Sequence, residues 1–198
     1  MADRGDIRIH WPPLHRGVVE NNVAEVRRLL AAGADVNEEM DRQQYPSMRP
    51  LHLSVEERHH EIAKLLLEAG ADVEAEVSWR GGPIEMALRN SDVEMVRLLL
   101  DHGADPNGSM WARERRVRSH LHRAVYSVHA SVSVEMVRLL LDRGAEVTHE
   151  VISWILSSGN AYRPREVISE IMDMMTERYP EAIMEYWIAA AAKPLETV

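Results

Sequence analysis

VEMVRLLLD at residues 93–101 recurs without a single change at residues 134–142. Related runs stand at residues 24–30 and 61–67, so the pattern occurs four times. Apolar residues return at helical spacing in each run, which predicts one amphipathic helix per copy. A glycine follows every run, and glycine can adopt the left-handed conformation that ends a helix. These glycines are Gly33, Gly70, Gly103 and Gly144, at intervals of 37, 33 and 41 residues.

A second marker precedes each run and predicts a shorter helix in the same unit. It reads Pro-Leu-His at residues 13–15 and 50–52, Pro-Ile-Glu at 83–85 and His-Leu-His at 120–122. Proline suits the first turn of a helix because its φ is already helical and its missing N–H is not needed there. The fourth copy has four more residues between marker and glycine than the others. We expect this insertion, near residues 127–133, either to widen the turn between the two helices or to lengthen the first one.

A unit of about 33 residues with two helices and a glycine stop resembles the ankyrin repeat. The resemblance covers residues 12–150. It implies an all-α solenoid of helix-turn-helix units with hairpin fingers, because a single helix pair cannot bury its apolar face alone. We expect one domain over residues 1–198, with repeats at 12–40, 49–79, 82–110 and 119–148 and a degenerate repeat with capping helices at 149–192.

The resemblance also gives the histidines a structural role. It implies that His15, His52 and His122 form hydrogen bonds near the hairpins, and that His59 lies in the turn between two helices. Glu85 stands in this position in the third copy, so the hairpin contact of that copy should differ.

The chain after residue 148 no longer follows the repeat but remains helical in pattern. We expect one helix over residues 149–157, a second after Pro164 and a last one from Pro180. Trp154 and Trp187 recur at helical spacing within these segments, which predicts that both lie in the core.

The composition limits the classes of function. The chain has no cysteine, which excludes disulfides, thiolate metal sites and a cysteine nucleophile. A net charge of −9 argues against general affinity for nucleic acids or anionic membranes. The N-terminus has no apolar core like that of a signal peptide, and no apolar run approaches the ~20 residues that span a bilayer. We therefore expect a cytoplasmic protein, and a monomer.

No motif points to catalysis, a metal or a cofactor. Phosphate loops, zinc-binding His-Glu-x-x-His helices and serine nucleophile elbows are all missing from the sequence. His120 and His122 are two residues apart and would face different sides of a helix. We predict a protein that is not an enzyme, although a small-molecule enzyme on an ankyrin scaffold stays open. Asn37 and Asn107 resemble asparagine-hydroxylation sites of ankyrin proteins, or they are turn asparagines favoured by geometry.

Binding of another protein is the function that the resemblance implies. Ankyrin proteins usually bind partners with their fingers and with the concave face formed by the first helices. The segments that match the fingers are residues 38–48, 76–81 and 109–119. The partner-binding residues that we predict on the fingers and the first helices are Glu56, Glu57, Trp79, Arg80, Arg89, Met110, Trp111, Arg113, Arg115, Arg116, Arg118 and Tyr126.

Two features of the fingers suggest what the partner looks like. Trp79 and Trp111 fall outside the apolar helical stripes, so they either face solvent as interface residues or fold back on their own repeats. Residues 110–118 hold four arginines and one acid. Arginine forks bind carboxylates or phosphates, or they pair internally with acids such as Glu56, Glu57 or Glu85. We predict a partner protein with an acidic or aromatic patch; the alternative is binding of nucleic acid or a phosphate ligand by the loop at residues 113–118.

Overall fold

A computed structural model of the chain describes residues 11–40, 48–77, 80–110, 118–125, 130–157 and 165–191. Within these ranges the side chains of residues 109, 110, 118, 130, 131, 154, 157, 190 and 191 are not described. The chain divides into two compact units, Met1–Asp105 and Pro106–Val198. The expected single domain stays a prediction.

The described residues of the first unit form three helix pairs, as the repeated markers predict. Each first helix begins with a proline and has seven residues, and each second helix has nine. The helices are α1 (Pro13–Val19), α2 (Val23–Ala31), α3 (Pro50–Glu56), α4 (His60–Glu68), α5 (Pro83–Arg89) and α6 (Val93–Asp101).

These helices form two layers. In one layer α3 packs against α1 and α5, and in the other α4 packs against α2 and α6. The core lies between the layers, where Leu51, Leu66 and Leu99 are fully buried. Burial of apolar surface between neighbouring repeats therefore holds the unit together, as expected for stacked repeats.

The predicted helix stops are confirmed. Gly33, Gly70, Gly103 and Gly144 have φ angles of +83°, +90°, +93° and +89°. An L side chain at such an angle would be strained, whereas glycine is not. In each of the first three repeats, a residue other than glycine also has a positive φ at the turn between the two helices: Asn21 at 52°, Arg58 at 58° and Ser91 at 55°.

The second unit contains the fourth helix pair and the cap. Its elements are β1 (Ser109–Met110), β2 (Arg118–Ser119), α7 (His120–Val125), α8 (Ala130–Asp142), α9 (His149–Ser157), α10 (Arg165–Arg178) and α11 (Pro180–Ala191). The strands are antiparallel, with Ser109 opposite Ser119. Helix α8 packs on α7 and α10, and α9 packs on α7 and α11. The helices expected after residue 148 are thus confirmed.

The four extra residues of the fourth copy extend the second helix, contrary to both expectations. Helix α8 has 13 residues, whereas α2, α4 and α6 have nine each. Ser133 occupies the position that Asp92 takes before α6, yet it lies inside α8. Its Oγ–H points at the last turn of α7, 2.9 Å from Ala124 O and 3.1 Å from Val125 O. The hydroxyl can therefore satisfy a carbonyl at the end of α7 while α8 continues past it.

The repeated nonapeptide is buried to a different extent in its two copies. Leu139 is buried in α8, whereas the equivalent Leu98 in α6 is partly exposed. Since the two segments are identical, the difference comes from their surroundings: α8 packs against α10, whereas α6 packs against α4.

Trp187 is not in the core, contrary to the prediction. Its side chain is 56% exposed, whereas Ile183 on the same helix is buried. Helix α11 carries apolar residues on two faces, so spacing alone does not determine which face turns inward. The side chain of Trp154 lies outside the described residues.

Candidate functional site

The structure describes one part of the predicted binding surface. Glu56, Glu57, Arg80 and Arg89 are described with their side chains. Only the backbone is described for Met110 and Arg118, which pair across β1 and β2 at the base of the third finger. The other predicted residues, Trp79, Trp111, Arg113, Arg115, Arg116 and Tyr126, lie outside the described residues.

A tight reversal of the backbone positions Arg80 in the second finger. Val77 and Gly81 exchange two backbone hydrogen bonds, each of 3.1 Å, and Arg80 N–H also donates to Val77 O at 3.0 Å. Gly81 has a φ of +79°, which allows the chain to turn back directly into α5. The finger is therefore short and fixed at its base.

Three of the predicted residues lie together in the first unit. The guanidinium of Arg80 pairs with the carboxylate of Glu56 at the end of α3, with 2.9 Å between Nη1 and Oε1. Arg89, at the end of α5, donates from Nη1 to the backbone oxygen of Arg80 at 3.4 Å. One finger thus connects the C-terminal ends of two consecutive first helices. Arg80 of the second finger thus pairs with an acid of the chain itself. This is the alternative that we considered for the arginines of the third finger.

In α3 and α5, exposure is concentrated at the C-terminal ends. In α3, all residues from Pro50 to Val55 are buried, while Glu56 and Glu57 are exposed. In α5, all residues from Pro83 to Leu88 are buried and Arg89 is exposed. Any ligand on this layer of the first unit would therefore meet charged side chains next to the fingers.

The marker histidines have the structural role that the resemblance implies in the first two copies. Nε2–H of His52 donates to Ala75 O at 2.7 Å, and Nδ1 accepts from the backbone N–H of Arg49 at 3.3 Å. Nε2–H of His15 donates to Met48 O at 3.1 Å. Burial lowers the pKa of both imidazoles, that of His52 to about 4. They are thus neutral at physiological pH and hold the fingers.

His59 and His102 also bond to backbone carbonyls. Nδ1–H of His59 donates to Val18 O of the preceding repeat at 2.9 Å, which confirms its role in the turn. Nδ1–H of His102 donates to Leu98 O at 2.8 Å, at the end of α6. Among the described residues, no group of three or more His, Asp or Glu side chains could hold a metal ion.

Glu85 is the exception among the marker residues. Its side chain is buried over Gly81, where an added Cβ would come within 1.2 Å of Oε2. Burial raises the pKa of this carboxyl to about 7, and the charge of Glu76 adds to the effect, while Arg89 and a hydrogen bond from Gly82 N–H oppose it. The third copy therefore keeps a hydrogen bond to the residue before its proline, but with a titratable acid instead of a neutral ring.

Asn37 and Asn107 connect neighbouring repeats. Oδ1 of Asn37 accepts from Asp72 N–H at 2.8 Å, and Nδ2–H donates to Gly70 O at 3.2 Å. Asn107 repeats the pattern with Glu146 N–H at 2.8 Å and Gly144 O at 3.2 Å. Each amide thus joins its finger to the helix end of the next repeat, which supports the structural interpretation of these asparagines.

Sequence analysis missed the role of Arg49. Its Nη1 lies 3.0 Å from Oδ2 of Asp72, and its Nη2 lies 3.1 Å from Oε1 of Glu39. The guanidinium thereby joins the first finger to the end of α4. No local pattern indicates this, because Arg49 and Asp72 are brought together only by stacking of the repeats.

Comparison with known families agrees with this architecture. A model of ankyrin repeats in three copies matches residues 3–77, and a single ankyrin-repeat model matches residues 83–109. A search of curated proteins finds no match. The chain belongs to the ankyrin repeat family. Ankyrin repeats are generally protein–protein interaction modules, and proteins built from them are typically scaffolds without enzymatic activity. Among the described residues, no helix combines the length and apolarity needed to cross a membrane.

Proposed function

We propose that this chain binds a partner protein through its finger loops and the exposed ends of its first helices. The observation that carries the proposal is the grouping of Glu56, Arg80 and Arg89, which connects one finger with two consecutive first helices. Ankyrin repeats generally bind proteins, and these are segments with which the family usually does so.

Arg89 supports a partner with an acidic patch. Its guanidinium is exposed and offers five N–H donors, of which Nη1 makes a long bond to Arg80 O. Such a fork can bind a carboxylate in bidentate fashion, and the resulting charge-assisted hydrogen bonds are stronger than neutral ones. Glu57, exposed one residue beyond α3, would contribute to selectivity by repelling acids placed next to it.

The third finger is the second element of the proposal. Trp111 and the arginines at positions 113, 115, 116 and 118 would enlarge the contact with aromatic surface and with further cations. Together with Tyr126 and Trp79, they define a partner whose docking patch is acidic or aromatic. The same proposal includes a monomeric module without enzymatic activity that acts in the cytoplasm.

The test compares capture by matched variants of the tagged chain. Proteins are captured from a lysate of the source organism and identified by mass spectrometry. Arg89→Gln removes a charge from the first-helix layer without adding an acid next to Glu85. Arg27→Gln makes the same change on α2, where Arg27 is exposed and lies 3.9 Å from Glu61. Trp111→Ala and Arg115→Glu examine the third finger.

The proposal expects a partner whose capture falls with Arg89→Gln, Trp111→Ala or Arg115→Glu and is kept with Arg27→Gln. Circular dichroism must be unchanged in all variants. Equal capture of every protein by all of these variants would contradict the assignment of the surface.

A further inference from the structure

Helix α11 carries an apolar surface that no described part of the chain covers. Among the described residues, three large apolar side chains are exposed, and all lie on this helix: Met184 at 59%, Trp187 at 56% and Ile188 at 62%. Their spacing of three and four residues puts them on one helix face. We call this set the α11 ridge.

Ile183 and Tyr186 anchor the helix beside the ridge. Ile183 is buried, and the ring of Tyr186 lies 4.8 Å from that of His149 on α9. Trp187 meets the edge of Tyr186 with 5.5 Å between ring centres. The ridge is therefore held outward on a packed helix. Solvent-facing Met and Trp side chains grouped in this way mark interaction surfaces, whereas single exposed apolar residues do not.

A row of carboxylates flanks the ridge. Glu181 and Glu185 are one helical turn apart and both exposed. Glu185 lies one turn before Ile188, and Glu181 lies two turns before it, so the row runs along one side of the ridge. Neither glutamate takes part in an ion pair in the described ranges, and α11 itself contains no lysine or arginine.

We propose that the α11 ridge is a second docking surface, occupied by an amphipathic helix of another protein that carries lysines or arginines beside its apolar face. Apolar side chains at helical spacing would pack on Met184, Trp187 and Ile188, as in helix–helix recognition. The bases would pair with Glu181 and Glu185, which gives the docking its orientation and its choice of partner.

Two other partners could cover an apolar ridge, a second copy of the chain and a membrane surface. Charge distinguishes the basic helix from both. A second copy of α11 brings two more glutamates and no base, so it cannot neutralise the row. An anionic membrane surface repels the row and the net charge of −9. A basic helix satisfies the apolar and the charged part of the surface together.

The test uses two labelled synthetic peptides that share a leucine stripe at helical spacing. One peptide has lysines beside the stripe, and the other has glutamates at the same positions. Fluorescence anisotropy with the full chain should show that the lysine peptide binds at least about tenfold more tightly, the ratio expected when like charges oppose each other at an interface. Met184→Gln combined with Ile188→Gln should weaken its binding by about tenfold or more, since it removes the apolar anchors.

A charge swap makes the test specific. Glu181→Lys combined with Glu185→Lys should reverse the preference, so that the glutamate peptide binds more tightly. Glu166→Lys with Asp173→Lys is the matched control on α10, because both carboxylates are exposed and the change in net charge is the same. This control should keep the original preference. Circular dichroism verifies that each variant folds.

Four results would overturn the proposal. They are equal binding of both peptides by the unaltered chain, binding that the ridge substitutions do not weaken, a dimer that these substitutions abolish, and ridge-dependent binding to neutral phosphatidylcholine vesicles. The last two would assign the ridge to a second copy or to lipid. None of these results bears on Arg89 and the first-helix layer, so the two proposals stand or fall separately.

Discussion

Glu74 and Asp105 are joined by one hydrogen bond, from the backbone N–H of Asp105 to Oε1 of Glu74 at 2.8 Å. Glu74 stands eight residues after Leu66, as Asn37 and Asn107 stand eight residues after Leu29 and Leu99. The asparagines make this bond and also donate to the glycine carbonyl of the next repeat. A carboxylate cannot donate, so the junction at Glu74 lacks the second bond.

We therefore expect Glu74→Asn to stabilise the first unit. The new amide would bond to Gly103 O as Asn37 bonds to Gly70 O, which should raise the free energy of unfolding by about 0.5 to 1.5 kcal/mol. Urea unfolding followed by circular dichroism measures the change. Glu74→Asp is the matched control, since it has the same length without the donor, and it should bring no gain. A loss of stability in the asparagine variant would show that the geometry of the other junctions does not transfer.

The carboxyl of Glu85 should make stability depend on pH. Its pKa is about 7 in the folded chain, whereas the ordinary value of 4.5 applies to the unfolded chain, so the folded state binds the proton more tightly. The contribution of Glu85 to the free energy of unfolding then falls as pH rises from about 4.5 to about 7, and it is constant above that. Glu85→Gln cannot titrate, so relative to the unaltered chain it should become more stable over this window, by about 1 to 3 kcal/mol.

The comparison must be made between the two chains at each pH. Burial lowers the pKa of His15 and His52, which gives the opposite slope because stability from these groups is lost as pH falls below 6.5. Both chains share that slope, so it cancels in the difference. Glu57→Gln, which removes a carboxylate at an exposed position, is the matched control for the change of charge. A difference between Glu85→Gln and the unaltered chain that stays constant from pH 4 to pH 8 would contradict the interpretation.

Ser91 occupies a backbone conformation that suits glycine. With a φ of 55°, its Cβ is strained, and this strain costs about 1 to 2 kcal/mol. We expect Ser91→Gly to raise the free energy of unfolding by about 0.5 to 1 kcal/mol, after allowing for the greater freedom of glycine in the unfolded chain. Thermal unfolding gives the measurement. Ser91→Ala keeps the Cβ and removes the hydroxyl, so it should not stabilise; equal effects of the two substitutions would argue against backbone strain.

Trp187 provides a test of how α11 is oriented. Replacement of a buried tryptophan by alanine costs about 3 to 5 kcal/mol, whereas a side chain as exposed as this one should cost about 1 kcal/mol or less. Ile183→Ala, on the buried side of the same helix, should cost about 2 to 4 kcal/mol. Chemical unfolding of both variants decides the matter, and a larger cost at Trp187 than at Ile183 would mean that Trp187 is the more deeply buried of the two.

The repeats could be predicted from sequence because their signals are local and redundant. The run at residues 93–101, its copy at 134–142 and the glycines after them each predict the same helix end. Pro13, Pro50 and Pro83 mark the first helices in the same way. Several weak indications in phase therefore fix the fold, although each alone is common.

Two kinds of feature could not be predicted from the sequence: contacts between residues far apart in the chain, and the choice of which helix face is buried. The contacts of Arg49 with Glu39 and Asp72 arise only when the fingers stack. The pKa of Glu85 depends on its burial over Gly81, which no residue type reveals. Helix α11 has two apolar faces, and the sequence does not say which one is covered. In the candidate site, the sequence predicted Glu56, Arg80 and Arg89 as binding residues. It did not predict that Arg80 contacts the other two.

The asparagine junctions have a consequence for engineering. Asn37 and Asn107 each make two hydrogen bonds to main-chain atoms of the following repeat: a glycine carbonyl and the amide two residues later. An acid of either length can follow, since Asp72 and Glu146 serve equally in that place. These two bonds make no demand on the side chains of the next repeat, so a foreign repeat with a glycine at its helix end could be inserted behind either asparagine with both bonds intact.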